Sequence, residues 1–196
     1  MEHYYSERQK SLLNIKKIKQ KIKGHDFEFY TASGVFSKDS VDKGTSVLAE
    51  NMVIGDSYDV LDIGCGIGVI GIAAAKLFNA KVVMSDVNKR AVMLAKKNIG
   101  LNNVKAGIYQ GNLYEKIKKY DFDVILSNPP QTAGKEICLQ LIGQSKNYLK
   151  KNGSLQIVAR HNKGGKTLSK KMEEVFGNVK VIAKKAGYWV YMCIKE

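Results

Sequence analysis

The 196-residue chain predicts an α/β fold: a mostly parallel seven-stranded sheet with an antiparallel last strand, preceded by a small N-terminal β/arm extension. Three observations predict it. From Tyr58 onward, short runs of β-forming residues alternate with segments of helical spacing, the rhythm of βα units in a parallel sheet. A glycine-rich turn, Gly64-Cys65-Gly66-Ile67-Gly68, follows the first of these strands and opens a helix. Near the C-terminus, Val179–Ala183 and Trp189–Ile194 are joined only by a Lys-Lys-Ala-Gly turn, too short for a crossover, so that pair is antiparallel.

Taken in order, residues 1–24 are basic: Lys10, Lys16, Lys17, Lys19, Lys21 and Lys23 interleave with Leu12, Ile15, Ile18 and Ile22. Their spacing fits a helix face in part and alternation in part, and both states stay open. A solvated arm and an RNA-facing arm are both compatible with it. Phe27, Phe29, Tyr30, Val35 and Phe36 around Ser33-Gly34 predict two short strands joined by a turn over 25–37. A polar loop over 38–42 precedes a helix carrying Val47, Leu48, Met52 and Val53. The regular part follows: strand 58–63, a helix with Ile70, Ala74, Leu77 and Phe78, strand 81–85, helix 88–99, strand 104–109, strand 122–127 and helix 135–150. Strand 154–159 after Asn152-Gly153, a helix through Leu168, Met172, Val175 and Phe176, and the closing hairpin complete it. One domain over 1–196 is expected, with 1–42 as basic arm and β extension and 43–196 as the core.

Composition is that of a globular protein, with 44% hydrophobic and 26% charged residues. No run of about 18 apolar residues predicts a membrane span, and Met1-Glu2-His3-Tyr4-Tyr5 lacks the apolar stretch of a signal peptide. Cys65, Cys138 and Cys193 form no CxxC pair, so they read as reduced thiols of a cytoplasmic protein, with no metal site. The net charge of +14 suits either a solvated lysine-rich surface or a polyanion partner, foremost RNA or DNA. Arg8, Arg90 and Arg160 are the only arginines. A lysine-dominated surface suits phosphate attraction better than bidentate reading of bases.

Two stretches carry chemistry. In Asp123-Val124-Ile125-Leu126-Ser127-Asn128-Pro129-Pro130, a buried strand ends in a rigid turn that holds both prolines of the chain. It projects an amide and carbonyls above the sheet. In Asp62-Ile63-Gly64-Cys65-Gly66-Ile67-Gly68, glycines let the backbone approach a ligand at the carboxyl edge of the sheet. Gly66 to Gly71 also fits the dinucleotide fingerprint, which alone is weak. Asp62 at the strand end suits a ligand's ammonium better than a pyrophosphate, and Asn-Pro-Pro ends the fourth strand, which favours S-adenosylmethionine. Asp86, ending strand two, is placed for ribose hydroxyls, with Asn88 free to cap the next helix. In Gly111-Asn112-Leu113, Asn112 is a candidate for the adenine amino group and Leu113 for the ring face.

These residues together resemble the class I S-adenosylmethionine-dependent methyltransferases that modify planar amino nitrogens. More narrowly, Thr31-Ala-Ser-Gly34-Val35-Phe36-Ser37 followed by Asp42-Lys-Gly44-Thr45 resembles the methyltransferase small domain family, which includes ribosomal RNA guanine-N2 methyltransferases and short archaeal relatives. The resemblance implies a Rossmann-like fold, S-adenosylmethionine as cofactor and RNA as partner, most directly guanine-N2 of ribosomal RNA. It implies Asn128, Pro129 and Pro130 as catalytic residues. Asp62, Gly64, Cys65, Gly66, Gly68, Asp86, Asn112, Leu113 and Asn128 would hold the cofactor. Phe36 and Ser37 would wall the substrate cleft, with Asp42 and Thr45 holding that wall. Gln131 stands where many amino-methyltransferases carry a base-stacking Tyr or Phe, a departure that sits more easily with the guanine-N2 branch. The alternatives are a protein glutamine N5-methyltransferase and a non-catalytic RNA-binding module. His25 and His161 are read as surface or core-polar residues, with general-base catalysis as the alternative.

Overall fold

The computed structural model describes residues 7, 9, 12–36, 39–118, 121–130 and 134–196. Its main sheet has seven strands in the order β5-β4-β3-β6-β7-β9-β8. The strands are β3 (Asp59–Ile63), β4 (Lys81–Asp86), β5 (Ala106–Gln110), β6 (Phe122–Ser127), β7 (Leu149–Arg160), β8 (Lys180–Lys185) and β9 (Tyr188–Ile194). All neighbouring pairs from β5 to β7 are parallel, and β9 runs antiparallel to both β7 and β8. The helices are α1 (Lys43–Asn51), α2 (Val69–Phe78), α3 (Lys89–Leu101), α4 (Lys135–Tyr148) and α5 (Lys166–Phe176). An irregular turn over His161–Gly165 leads from β7 into α5.

The apolar patterns explain the layers. Val124, Ile125 and Leu126 of β6 are buried, because the strand is paired on both sides and covered on both faces. One core, with Val60, Val124, Val158 and Val190, lies under α1 and α2; the other, with Leu61, Ile125, Ile157 and Tyr191, lies under α4 and α5.

The N-terminal region differs from the expectation. The residues before the Ser33-Gly34 turn do not fold onto those after it. Instead β1 (Ile15–Ile22) pairs antiparallel with β2 (His25–Ala32), from Ile15 opposite Ala32 to Ile22 opposite His25. The hairpin turn is Lys23-Gly24, both with positive φ (47° and 81°), the geometry that matches the twist of a two-stranded ribbon. Of the two open states for the basic segment, alternation applies: Ile18, Gln20 and Ile22 face inward between exposed lysines. The hairpin docks through buried Ile22, Phe27 and Phe29, each contributing about 1.5–3 kcal/mol by burial. Strand β7 starts earlier than predicted, because Leu149 already pairs with Phe122 before an irregularity in the ladder. Asn152 takes a positive φ of 64° within it rather than ending it. Among the described residues no helix is long and apolar enough to cross a membrane.

Candidate active site

The strand order places the site. The chain enters at β3, moves outward to β4 and β5, and returns to add β6 on the other side of β3. The carboxyl ends of β3 and β6 therefore diverge at the switch point of the sheet, where open α/β sheets bind ligands. The glycine turn after β3 and Asn128-Pro129-Pro130 after β6 become neighbours there. They wall a cavity of about 350 Å³, with the end of β4, the turn after β5 and Phe36 completing it.

The glycine turn is held from below. The Gly64 and Cys65 N–H groups both donate to the Ser85 carbonyl, at 2.9 and 3.0 Å. Gly64, Gly66 and Gly68 have φ of 69°, 56° and 88°, a region that side chains with a Cβ rarely adopt. A Cβ at Gly66 would meet no protein atom within 4 Å. Because Gly66 lines the cavity, the space its missing side chain leaves is open to a ligand.

Asp86 orders this turn from β4. Its Oδ2 accepts from the Gly66 N–H and its Oδ1 from the Asn88 N–H, both at 2.8 Å. Burial raises its pKa, and the Asn88 and Gly66 bonds lower it in part. A carboxylate keeps lone pairs beyond two such bonds, so hydroxyl donors in the cavity can still be accepted. Asn88 caps α3, accepting from the Arg90 and Ala91 N–H groups, while its Nδ2 donates to the Gly34 carbonyl. The cap thereby ties the segment before Phe36 to the cavity rim.

Asp62 sits differently. It is fully buried, does not line the cavity, and accepts the Gly71 N–H of α2 at 2.9 Å on Oδ2. Its Oδ1 is buried with no hydrogen-bond partner among the described residues. Burial pushes this carboxyl up to about 7, with the Gly71 bond opposing and the Asp86 charge adding to the shift. Burial likewise holds the Cys65 thiol protonated.

On the β6 side, Asn128 is clamped. Its Nδ2 donates to Asp42 Oδ2 at 3.0 Å and to Thr45 Oγ1 at 2.9 Å. The same Asp42 oxygen accepts the Thr45 N–H at 3.0 Å as the N-cap of α1. With both amide hydrogens engaged, Asn128 Oδ1 remains an acceptor that no described residue occupies. Below it, the Ser127 hydroxyl donates to the Ile63 carbonyl at 2.8 Å, coupling the ends of β6 and β3.

The cavity therefore brings together Phe36, Thr45, Gly64, Cys65, Gly66, Asp86, Asn112, Leu113, Asn128, Pro129 and Pro130. Asp42 stands behind Asn128, and Gly68 caps α2. Ser37 and Gln131 lie outside the described residues. His25 begins β2, and His161 bonds the Tyr191 hydroxyl and stacks on Trp189 at 3.5 Å; neither lines the cavity. Ile137 and Leu141 of α4 also line it, unread as site residues because an i, i+4 apolar pair carries the same signal as core packing.

Comparison with known proteins identifies the relatives. The methyltransferase small domain family model matches residues 26–192. A Bacillus subtilis protein, YbxB, is 38% identical and covers 96% of each chain. The ribosomal RNA small subunit methyltransferase C of Psychromonas ingrahamii is 32% identical over 93% of this chain and 52% of its own, so the chain spans about half that relative's length. A putative protein N5-glutamine methyltransferase of Methanocaldococcus jannaschii is 35% identical over 70% of this chain and 80% of its own. Among solved structures, the T. thermophilus 16S rRNA N2 methyltransferase in complex with AdoMet and guanosine superposes with a TM-score of 0.81 at 24% identity, over 95% of this chain and 51% of that one.

Proposed function

The chain belongs to the methyltransferase small domain family, and we propose that it transfers the methyl group of S-adenosylmethionine to an exocyclic amino nitrogen of RNA, namely guanine N2 in ribosomal RNA. The clamped amide of Asn128 carries the reading: its Nδ2 is held by Asp42 and Thr45, and its Oδ1 accepts from no described residue. An exocyclic NH2 is a planar donor whose lone pair is delocalised into its ring. Asn128 Oδ1 and the Pro129 carbonyl would accept its two hydrogens, orienting the nitrogen and drawing the lone pair out of conjugation. The cofactor supplies an activated methyl group on a sulfonium centre. Everything asked of the protein is positioning and electrostatics, with the target base out of its stack.

The residues present fit that cofactor. The open cradle at Gly66, the half-open carboxylate of Asp86 and the apolar Leu113 beside them offer space, hydroxyl acceptors and a ring face. In this reading residues 1–42 form the basic extension and 43–196 the catalytic core. The three buried free thiols suit a reducing compartment, the cytoplasm.

A second reading is favoured by one relative: the M. jannaschii protein named as a glutamine N5-methyltransferase. A glutamine side-chain amide presents the same planar NH2. A tritiated-methyl transfer assay on total RNA and total protein from a strain lacking the gene separates the two. Label in RNA that elutes as N2-methylguanosine supports the proposal. Label in protein moves the enzyme to glutamine. Label in neither turns the question to calorimetry with S-adenosylmethionine, and RNA bound without methyl transfer leaves a non-catalytic RNA-binding module.

A further inference from the structure

Most lysines of the basic hairpin lie within 4.0 Å of a carboxylate. Lys16 pairs with Asp39 at 2.8 Å, Lys17 with Glu28 at 2.6 Å, and Lys21 lies 4.0 Å from Asp26. A dense run of positive charge without such partners lies at the rim formed by the end of β7, the irregular turn after it and the β8–β9 hairpin. Between residues 160 and 189 the only acids are Glu173 and Glu174, against Arg160, Lys163, Lys166, Lys170, Lys171, Lys180, Lys184 and Lys185. Among the described residues, Arg160, Lys166, Lys184 and Lys185 have no carboxylate partner, and all four are exposed.

The rim is built and continuous with the site. The His161 N–H donates to the Gly187 carbonyl at 3.0 Å, joining the irregular turn to the hairpin turn. The Arg160 guanidinium lies over the Tyr188 ring at 5.4 Å, and Arg160 pairs with Tyr188 across the β7–β9 ladder. The Tyr188 ring in turn packs on Gly44, so close that a Cβ there would sit 2.9 Å from it and equally near Asp42 Oδ2. Asp42 is the residue that holds Asn128. From the Asn128 amide to the exposed arginine the neighbours therefore run Asn128, Asp42, Gly44, Tyr188, Arg160.

We infer that this rim, Arg160 and Tyr188 with Lys166, Lys184 and Lys185, is the surface that binds the RNA strand flanking the target nucleotide. The inference rests on the RNA reading above and assigns the contact to this rim instead of the N-terminal hairpin. A planar cation on an aromatic ring, beside ammonium groups that no described carboxylate holds, is chemistry that suits a single strand: phosphates on the charges, with the guanidinium plane as a stacking surface for a base. The occupant is a single-stranded segment, because a target base must be unstacked to reach Asn128.

The test is fluorescence anisotropy with a labelled single-stranded RNA of about a dozen nucleotides, between about 50 and about 200 mM salt. Arg160→Ala, and Lys184→Ala with Lys185→Ala, should weaken binding about 5-fold per cation and lower the salt slope by about one per charge removed. Lys17→Ala with Lys21→Ala should change neither. Unchanged cofactor affinity by calorimetry reports that each variant is folded. The inference is overturned if the rim variants bind like the unmodified chain, if the loss follows the hairpin variants, or if the unmodified chain binds no RNA. Poly-glutamate displacing the RNA at equal charge would also overturn it, in favour of an acidic protein. RNA that binds at the rim but receives no methyl group sinks the proposed reaction and leaves the rim. RNA methylated by the rim variants with unchanged KM sinks the rim and leaves the reaction.

Discussion

One oxygen of Asp42 does two jobs. It caps α1 through the Thr45 N–H and it receives the Asn128 amide. The Asn-Pro-Pro stretch made Asn128 legible in the sequence, because two adjacent prolines after an apolar strand mark a stiff strand end. That Asp42 and Thr45 set the direction of its amide was not legible, since a helix cap and a hydrogen-bond partner of a distant strand end look alike over Asp-x-x-Thr. Asn128→Ala should lower kcat by at least about 100-fold, the scale of losing a transition-state contact, with a far smaller change of cofactor affinity in calorimetry. Thr45→Ala removes one of two partners and should lower kcat by about 10-fold, on the order of one hydrogen bond, leaving the cofactor KM in place. At Gly66 an alanine would meet no protein atom but would strain a φ of 56° and fill the cradle. Gly66→Ala should fold and fail to bind S-adenosylmethionine in calorimetry.

At the scale of elements, a buried asparagine ties the hairpin to the core. Asn98 of α3 accepts from the Tyr30 N–H and donates to the Tyr30 and Ile67 carbonyls, so it bridges β2, its own helix and the glycine turn. Asn98→Ala leaves these buried groups unpaired, which costs about 1–3 kcal/mol for each group that water does not reach, and should lower the unfolding midpoint accordingly. Asn98 follows two lysines in α3, and docking of the hairpin gives it the Tyr30 partners. The hairpin was misplaced by the sequence for a related reason: Ser33-Gly34 and Lys23-Gly24 are both acceptable turns, and pairing of Ile15–Ile22 with the aromatic strand decides between them. The β3–α2 connection makes a pH prediction. The Asp62 carboxyl titrates at about 7 in the folded chain against an ordinary value of 3.8. Between these values the folded state holds a proton that the unfolded chain releases, so stability falls as pH rises through that window and levels off above it. Asp62→Asn should flatten this part of the stability profile and leave the cofactor-free protein at least as stable as before at pH above 7, read by chemical denaturation.

For the whole molecule, cofactor binding and folding are linked. Saturation at about 100 times the dissociation constant should stabilise the fold by about 2.7 kcal/mol, or roughly 5–10 °C in a domain of this size. Scanning calorimetry should show that shift for the unmodified chain and none for Gly66→Ala. By itself the sequence determined the α/β class, the antiparallel closing hairpin, the glycine turn and the Asn-Pro-Pro end. Each is written in local chemistry: periodicity, conformational freedom at glycine, rigidity at proline. Only the tertiary structure decided what those pieces meet. The return of β6 to the far side of β3 opens the cavity between two motifs that are distant in the chain. Ion pairing across the β1–β2 ribbon occupies many of the N-terminal lysines, while Arg160, Lys184 and Lys185 are left exposed beside Tyr188. A net charge of +14 records how many cations exist; which of them keep their field depends on which carboxylates the fold brings within reach, and that is a property of distance in space.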